Sequence, residues 1–190
     1  MLDLEMLAQQ PDIDTLVVAI GGGGLISGVE AAARSIKPDI EVIGVQTERF
    51  PAVWNAIHGE QRESAQAMIA DGIAVKSPGA LTLPLIRERV NNVLLVSGGD
   101  IGQAILMLLE IEKTVLEGAG AVGLAALADA AALLGKLGAN IDEVQHQRAF
   151  TSLSAERAQI EVVGRTRGMA HIEQILTVMR AQGYSVGRTA

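Results

Sequence analysis

Residues 16–28, which read LVVAIGGGGLISG, decide the fold of the first half of this chain. The apolar run 16–20 is β-branched in its middle and predicts a strand that is covered on both faces. Four glycines follow, and then a helical pattern over 25–36 that ends at Lys37-Pro38, because proline cannot continue a helix. Residues 41–45 (EVIGV) predict a second strand. The order strand, helix, strand indicates a βαβ unit with parallel strands and a right-handed crossover.

The remaining segments alternate in the same way up to residue 135 and then change character. We predict a helix over 54–70, a loop over 71–82, a short helix over 83–90 and a strand over 93–96. A helix over 101–112, capped by Ser97, follows this strand, and Glu117-Gly118-Ala119-Gly120 then opens an alanine-rich helix. Beyond it we predict strands over 141–148, 159–166 and 184–186, and an amphipathic helix over 170–182. The sequence therefore predicts an α/β domain followed, after a boundary near residues 135–138, by a small α+β unit.

The composition excludes several classes of protein. The 190 residues include 15 Lys and Arg against 22 Asp and Glu, and the net charge of −7 argues against a nucleic-acid partner. Hydrophobic residues make up 49% of the chain, which is too many for an intrinsically disordered protein. There are no cysteines, so a disulfide framework and a thiol nucleophile are excluded. No signal peptide is recognisable, and we expect a cytoplasmic protein.

The stretch 118–135 (GAGAVGLAALADAAALLG) has the length of a membrane span but not its composition. It consists mostly of Ala and Gly, and Asp129 near the centre of a span would cost about 2.5–3.5 kcal/mol. We therefore predict a helix of small residues that packs closely inside the protein, and no membrane partner.

The four consecutive glycines, Gly21, Gly22, Gly23 and Gly24, predict a phosphate site between a strand and a helix N-terminus. Without Cβ atoms the backbone N–H groups can converge on an anion, and the helix dipole adds positive potential. Such a site needs little side-chain charge. A tight βα turn without a ligand is the alternative, but such a turn does not need four glycines.

The spacing of the glycines indicates which class of phosphate-bearing ligand the loop fits. A Walker A loop requires Gly-Lys-Ser/Thr, whereas Gly24 is followed by Leu25. The dinucleotide fingerprint requires a third glycine where this chain has Ile26 or Ser27, and Gln46 stands where an acidic residue is expected. A single phosphate monoester, as on pyridoxal phosphate, fits better.

Three segments carry a resemblance to a known family. AIGGGGLISG (19–28), DGIAVKSPG (71–79) and LEGAGAVGLAAL (116–127) resemble, in that order, the second half of the catalytic domain of threonine dehydratases. These are pyridoxal-phosphate enzymes of the tryptophan-synthase-β-like fold. The resemblance implies that residues 1–136 are part of a parallel, three-layer α/β catalytic domain. Residues 137–190 resemble a truncated regulatory domain of the ACT type, an α+β ferredoxin-like unit.

The resemblance also implies the cofactor, the substrate and the site residues. In the family the glycine loop holds the cofactor phosphate, and the corresponding residues of this chain are Gly21, Gly22, Gly23 and Gly24. The DGIAV loop and the EGAGA turn approach the cofactor ring, which puts Gly72 and Glu117 near it. The implied reaction converts threonine, or serine, to a 2-oxo acid and ammonia, and the resemblance suggests a role in isoleucine biosynthesis. We assign no catalytic residue and no metal ligand.

Two parts of the family pattern are absent from this sequence. The catalytic lysine belongs to a Ser-Phe-Lys-type motif upstream of the glycine loop, and neither Lys37, Lys113 nor Lys136 lies in a suitable setting. Lys76 is the only lysine near the predicted cofactor, although a solvated loop charge is the better interpretation. A Ser-Gly-Gly-Asn-type strand that follows the alanine-rich helix in the family is also absent.

These gaps predict a fragment or an internally deleted relative. We expect such a chain to hold the cofactor phosphate, to be inactive alone, and to form homo-oligomers through strands that the missing strands leave unpaired. Two other functions stay open. One is a noncatalytic module that senses an amino acid near residues 138–141 or binds a partner, and the other is a nucleotide-binding α/β domain, which the glycine spacing disfavours.

The remaining polar residues predict no further site. The three histidines, His58, His146 and His171, lack metal-ligand spacing and are interpreted as structural or solvated. Ser97-Gly98-Gly99-Asp100 resembles the missing strand motif but precedes the EGAGA turn, so we interpret it as a helix cap.

Overall fold

Two compact units make up the structure, a computed structural model that describes residues 2–146, 160–181, 184 and 186–188. The first unit contains residues 2–128, and the second contains the described residues from 129 onward. The long helix over Gly118–Lys136 begins in the first unit and ends in the second.

The first unit is built on a parallel sheet of three strands. Strand β1 (Thr15–Ala19) pairs with β2 (Glu41–Thr47), and β2 pairs with β3 (Asn92–Val96), both in parallel. Val17 lies opposite Ile43, and Val45 lies opposite Leu94. The βαβ unit predicted from the glycine-rich stretch is therefore confirmed.

Helices cover both faces of this sheet and make the unit a three-layer α/β structure. They are α1 (Leu2–Gln9), α2 (Gly24–Ile36), α3 (Ala52–His58), α4 (Thr82–Arg89), α5 (Gly98–Ile111) and α6 (Gly118–Lys136), with a 3₁₀ turn at Asp71–Ile73. One core cluster joins Leu16, Val18 and Val42 to α2 and α4, and the other joins Val45 and Val96 to α5 and α6. Because successive strand residues point to opposite faces, continuously apolar strands supply both clusters.

A buried carboxylate ties α2 to the end of α4. The Glu30 carboxylate, whose side chain is only 2% exposed, lies 3.0 Å from Nε of Arg34 and 3.7 Å from Nη1 of Arg89. Arg34 also donates to the Arg89 carbonyl at 2.9 Å and to the side-chain oxygen of Asn91 at 3.2 Å. That same Asn91 oxygen accepts the Val42 N–H, so one polar network connects α2, α4 and β2.

The helix predicted over 54–70 is wrong over most of its length. Helix α3 ends at His58, and Gly59 follows it with a left-handed φ of 70°. The side chain of Asn55 then binds both the N–H and the carbonyl of Arg62, which holds the chain in an irregular path. At its other end α3 is capped by Gln46, whose fully buried side-chain oxygen accepts the N–H groups of Val53 and Trp54.

The second unit contains a two-stranded antiparallel sheet and one further helix. Strand β4 (Asn140–His146) pairs with β5 (Ile160–Arg165), with a bulge between Ile141 and Glu143. Helix α7 (Met169–Ala181) buries His171, Ile175 and Met179. The predicted strand over 184–186 is not observed at residues 184 and 186, and residue 185 lies outside the described residues, as do 147–148 and 159 of the other predicted strands.

Helix α6 is the one helix in the described part of the chain that is long and apolar enough to cross a membrane. Its first half packs into a core cluster of the first unit through Ala121, Val122, Ala125 and Ala126. At Gly123 a Cβ atom would lie 3.6 Å from the Val17 carbonyl oxygen, so this helix runs close to the backbone of β1. Small residues permit that close approach.

Candidate functional site

A cavity of about 480 Å³ opens where β1 ends and α2 begins. This is the carboxyl edge of the parallel sheet, where ligands of open α/β sheets bind. The volume is in the usual range for a site that holds a small molecule. Its lining comes from the glycine loop and from two later segments of the chain, namely Ala19, Gly21, Gly22, Gly23, Gly24, Leu25, Gly72, Ile73, Glu117, Ala119 and Gly120.

The glycine loop bends sharply at Gly23, the residue that precedes α2. Gly23 has a φ of 95°, in the left-handed region that favours glycine. A Cβ atom there would lie 2.6 Å from Cδ1 of Ile86 and 2.7 Å from Oγ1 of Thr82. By contrast, Cβ atoms at Gly22 and Gly24 would meet nothing within 4 Å. The loop is therefore packed against α4 on one side and open on the other.

The N–H groups of this loop are available to a ligand. No side chain caps α2, and among the residues that the structure describes no acceptor is found for the N–H groups of Gly22, Gly23 and Gly24. The first N–H groups of a helix have no partner within the helix, and the helix dipole places positive potential on them. The loop can accordingly bind an anion through its backbone.

The other side of the cavity is formed by Gly72 and Glu117, which lie far apart in the sequence. The Gly72 N–H donates to Oε1 of Glu117 at 3.4 Å, so the 3₁₀ turn and the start of α6 meet at this point. Gly118 makes the approach possible, since a Cβ there would lie 2.5 Å from the Ile69 carbonyl oxygen. The structure thus brings together all six residues predicted for the cofactor site, Gly21, Gly22, Gly23, Gly24, Gly72 and Glu117, around one cavity.

Among the residues that the structure describes, no lysine or arginine lines this cavity, and Glu117 is the only ionisable residue in its lining. Lys37 donates to the Ile13 carbonyl at 2.8 Å, and Lys113 donates to the Glu110 carbonyl at 2.6 Å. Lys76 and Lys136 are exposed and lie outside the lining. An anion at the glycine loop would therefore be held by backbone N–H groups and the helix dipole.

These features fit the phosphate end of pyridoxal phosphate. The loop offers N–H groups without an acceptor among the described residues, and the cavity continues from it towards Gly72 and Glu117. They do not include an amine for covalent attachment of the cofactor.

The remaining candidates have structural roles. His58 stacks on Trp54 with ring centroids 4.2 Å apart, and His171 contacts the Leu137 carbonyl at 2.6 Å. In the described part of the chain no group of three or more His, Cys, Asp or Glu residues is arranged for a metal ion. Ser97 caps α5 in a reciprocal arrangement with Asp100, which confirms the predicted helix cap.

Sequence reasoning missed the residues that support the glycine loop from behind. The Gly22 carbonyl accepts the Gly79 N–H at 3.0 Å and the Thr82 hydroxyl at 2.6 Å. The turn-forming Ser77-Pro78-Gly79 segment indicated a loop here, but nothing in the local pattern indicated which segment it would contact. It also missed the apolar part of the lining, Ala19, Leu25, Ile73 and Ala119, which has no local signature.

Comparison with known proteins places this site in one family. Residues 2–183 match the family described as pyridoxal-phosphate dependent enzyme. The chain is 33% identical to the L-threonine ammonia-lyase of Thermotoga maritima over 240 aligned residues, which cover 97% of this chain and 60% of that protein. It is 36% identical to the catabolic L-threonine dehydratase TdcB of Escherichia coli over 169 residues, which cover 88% of this chain and 49% of that protein.

Solved structures agree with this grouping. A T.th. threonine deaminase superposes with a TM-score of 0.63 at 33% identity, and the superposition covers 68% of this chain and 49% of that protein's chain. A maize serine racemase superposes with a TM-score of 0.60 at 38% identity, and the superposition covers 65% of this chain and 38% of that protein's chain. The described sheet and helices thus have the pyridoxal-phosphate fold of the tryptophan-synthase-β type.

The chain spans about half to three fifths of the length of these curated relatives. The alignment with the Thermotoga protein also contains positions that this chain does not match. About 184 residues, which are 97% of this chain, are spread over 240 aligned positions, so about 56 positions of that protein have no counterpart here.

Proposed function

The chain belongs to the family of pyridoxal-phosphate dependent enzymes, and on that premise we propose that it provides the phosphate-binding half of a threonine or serine ammonia-lyase. The observation that carries the proposal is the glycine loop, which lines the cavity at the start of α2 and whose N–H groups have no acceptor among the described residues. The names of the Thermotoga and Escherichia relatives support an amino acid with a hydroxyl group as substrate.

Each part of the cavity has a distinct task in this proposal. The N–H groups of Gly22, Gly23 and Gly24 bind the phosphate, and Glu117, held by the Gly72 N–H, borders the space for the ring. Bound pyridoxal phosphate supplies an electron sink for loss of the α-proton of an amino acid. Ala19, Leu25, Ile73 and Ala119 line the same space with apolar surface, which excludes water from part of it.

We propose that this chain does not catalyse the reaction alone. The family chemistry requires a lysine at the cofactor, and none of the four lysines of this chain lies in the cavity lining. The presence of about 56 positions of the Thermotoga protein without a counterpart here, within the aligned region, supports an internal deletion relative to that protein. A lysine from outside residues 1–190 would have to complete the site.

Cofactor binding is the direct test of this proposal. The purified chain is titrated with pyridoxal phosphate and, in parallel, with pyridoxal, which lacks the phosphate. We expect pyridoxal phosphate to bind at least about tenfold more tightly, since one or two charge-assisted hydrogen bonds account for such a ratio. The variant Gly23→Asp should lose this preference, because it adds a carboxylate and a clashing side chain to the loop. Equal affinity for the two ligands would contradict the proposal.

Turnover is tested on the same preparation. With threonine and serine as substrates we expect neither 2-oxobutanoate nor pyruvate to form above the level of the Gly23→Asp variant. Formation of either product by the parent chain, lost in Gly23→Asp, would contradict the proposed need for a lysine from outside these residues.

Serine racemisation is the second candidate, because the maize serine racemase is 38% identical over the region that superposes. The same incubation with L-serine distinguishes the two reactions, since racemisation yields D-serine whereas ammonia loss yields pyruvate. D-serine without pyruvate would favour the racemase.

For residues 137–190 we propose a truncated ACT-like regulatory unit. The antiparallel pair β4–β5 followed by α7 supports an α+β unit of this kind. Amino-acid sensing or partner binding by this segment is the noncatalytic alternative, and calorimetric titration with threonine, serine and isoleucine tests it. The family and the proposed metabolic role support a cytoplasmic location.

A further inference from the structure

The Gly22 carbonyl is bound by two donors that lie outside the lining of the cavity. The Thr82 hydroxyl donates to it at 2.6 Å, and the Gly79 N–H donates to it at 3.0 Å. Thr82 is the first residue of α4, and neither Thr82 nor Gly79 belongs to the cavity lining. These two groups and the Gly22 carbonyl are called the loop clamp below.

The loop clamp fixes the direction of an N–H group as well as that of a carbonyl. The carbonyl of Gly22 and the N–H of Gly23 share one planar peptide unit, in which they point in opposite directions when the bond is trans. The structure contains no cis peptide bond among the residues that it describes. When the carbonyl is held against α4, the Gly23 N–H must point away from α4, on the side where the glycine loop lines the cavity.

The surrounding packing leaves little room for another arrangement. A Cβ atom at Gly79 would lie 2.6 Å from Oγ1 of Thr82 and 2.9 Å from the Gly22 carbonyl oxygen. The Gly79 carbonyl in turn accepts the Leu83 N–H at 3.0 Å, so the start of α4 and the segment before it form one hydrogen-bonded turn. Rotation of the Gly22–Gly23 peptide would break both bonds of the clamp.

We propose that Thr82 is a positioning residue, which holds the Gly23 N–H in the direction that the phosphate of the cofactor requires. The inference rests on the proposed function, because it assumes that the glycine loop binds that phosphate. A loop that is already held in the binding orientation loses less conformational freedom when the ligand binds. Preorganisation of this kind increases the affinity for the ligand. Removal of the Thr82 hydroxyl should therefore weaken binding of the phosphate and leave the remaining contacts of the ligand unchanged.

The test compares Thr82→Val, which keeps the shape and removes the hydroxyl, with Thr82→Ser, which keeps the hydroxyl. Thr114→Val is the matched control, because the Thr114 hydroxyl also donates to a carbonyl, that of Glu112, but on an exposed segment away from the cavity. Affinities for pyridoxal phosphate and for pyridoxal are measured for each variant. Order parameters of the Gly23 amide are measured by ¹⁵N relaxation without ligand.

We expect Thr82→Val to bind pyridoxal phosphate about tenfold more weakly, a change that corresponds to one hydrogen bond, and to bind pyridoxal as the parent does. Thr82→Ser and Thr114→Val should stay within about threefold of the parent for both ligands. The Gly23 amide should become more mobile in Thr82→Val alone.

Each other outcome has a distinct meaning. If the parent prefers pyridoxal phosphate and Thr82→Val keeps that preference with an unchanged Gly23 amide, the positioning role is overturned and the proposed function stands. If Thr82→Val weakens both ligands equally, the hydroxyl supports the fold in general, and the inference is again overturned. A parent chain without preference for pyridoxal phosphate overturns the proposed function and this inference with it.

Discussion

At the scale of single residues, position 23 is subject to two constraints that only glycine satisfies. Its φ of 95° lies in the left-handed region, and its Cα faces Ile86 and Thr82 at distances that exclude a methyl group. The sequence indicated that the loop needs glycines, but it did not distinguish the four. The structure separates Gly23, which is closed in by α4, from Gly22 and Gly24, which face open space.

Substitution of Gly23 by alanine is expected to destabilise the fold. The left-handed conformation costs an L-residue about 1–2 kcal/mol, and overpacking costs about 1–3 kcal/mol, so we expect Gly23→Ala to lose about 2–5 kcal/mol of unfolding free energy. Urea unfolding followed by circular dichroism measures this loss. The matched control is Gly28→Ala within α2, where a Cβ meets nothing within 4 Å and alanine should add about 0.5–1 kcal/mol. Equal effects of the two variants would contradict this account.

At the scale of elements, the connection between α2 and α4 depends on a carboxylate that the sequence pattern treated as part of an ordinary helix. Glu30 is buried because α4 and the residues after it fold over α2, and Arg34 and Arg89 compensate its charge. Arg89 lies 59 positions later in the chain, so its approach is a consequence of the tertiary fold. The helical pattern over 59–70 was misleading for another reason, because Gly59 ends α3 and the Asn55 side chain binds the backbone of Arg62.

Removal of this carboxylate tests the connection. Loss of one partner of a buried pair costs about 3–5 kcal/mol, and since Arg34 is 34% exposed we expect Glu30→Ala to lose less, about 2–4 kcal/mol. Glu60→Ala is the control, because Glu60 and Arg62 form an exposed pair at 3.2 Å whose contribution is about 0–1 kcal/mol. Chemical denaturation of both variants measures the difference, and a loss below about 1 kcal/mol for Glu30→Ala would show that the network contributes little.

At the scale of the whole molecule, the sheet of the first unit ends in two edge strands. Strands β1 and β3 each pair with β2 alone among the described strands, and edge strands are templates for association. Helix α5 adds exposed apolar side chains, with Leu106 54% and Leu109 43% exposed. We therefore expect the chain to associate with further copies of itself in solution.

Light scattering coupled to size-exclusion chromatography measures this association. The expected mass exceeds the 19.8 kDa of one chain at micromolar concentration and decreases on dilution. The double variant Leu106→Lys and Leu109→Lys should shift the mass towards the single chain, whereas Gln103→Lys and Glu110→Lys, polar positions of the same helix, should have little effect. A parent chain that elutes as one monodisperse 19.8 kDa species would contradict the expectation.

The sequence by itself determined the βαβ unit, the glycine loop at the start of α2 and the family, because each depends on residues that are neighbours in the chain. Such features extend over only a few positions and can therefore be recognised in the sequence, as the apolar runs, the consecutive glycines and the Ser97 cap were. Only the tertiary structure decided that Gly72 and Glu117 meet on one side of the cavity, that Thr82 holds the Gly22 carbonyl, and that Glu30 is buried. These contacts join segments that are 45 to 60 residues apart, and their geometry follows from how the helices pack on the sheet.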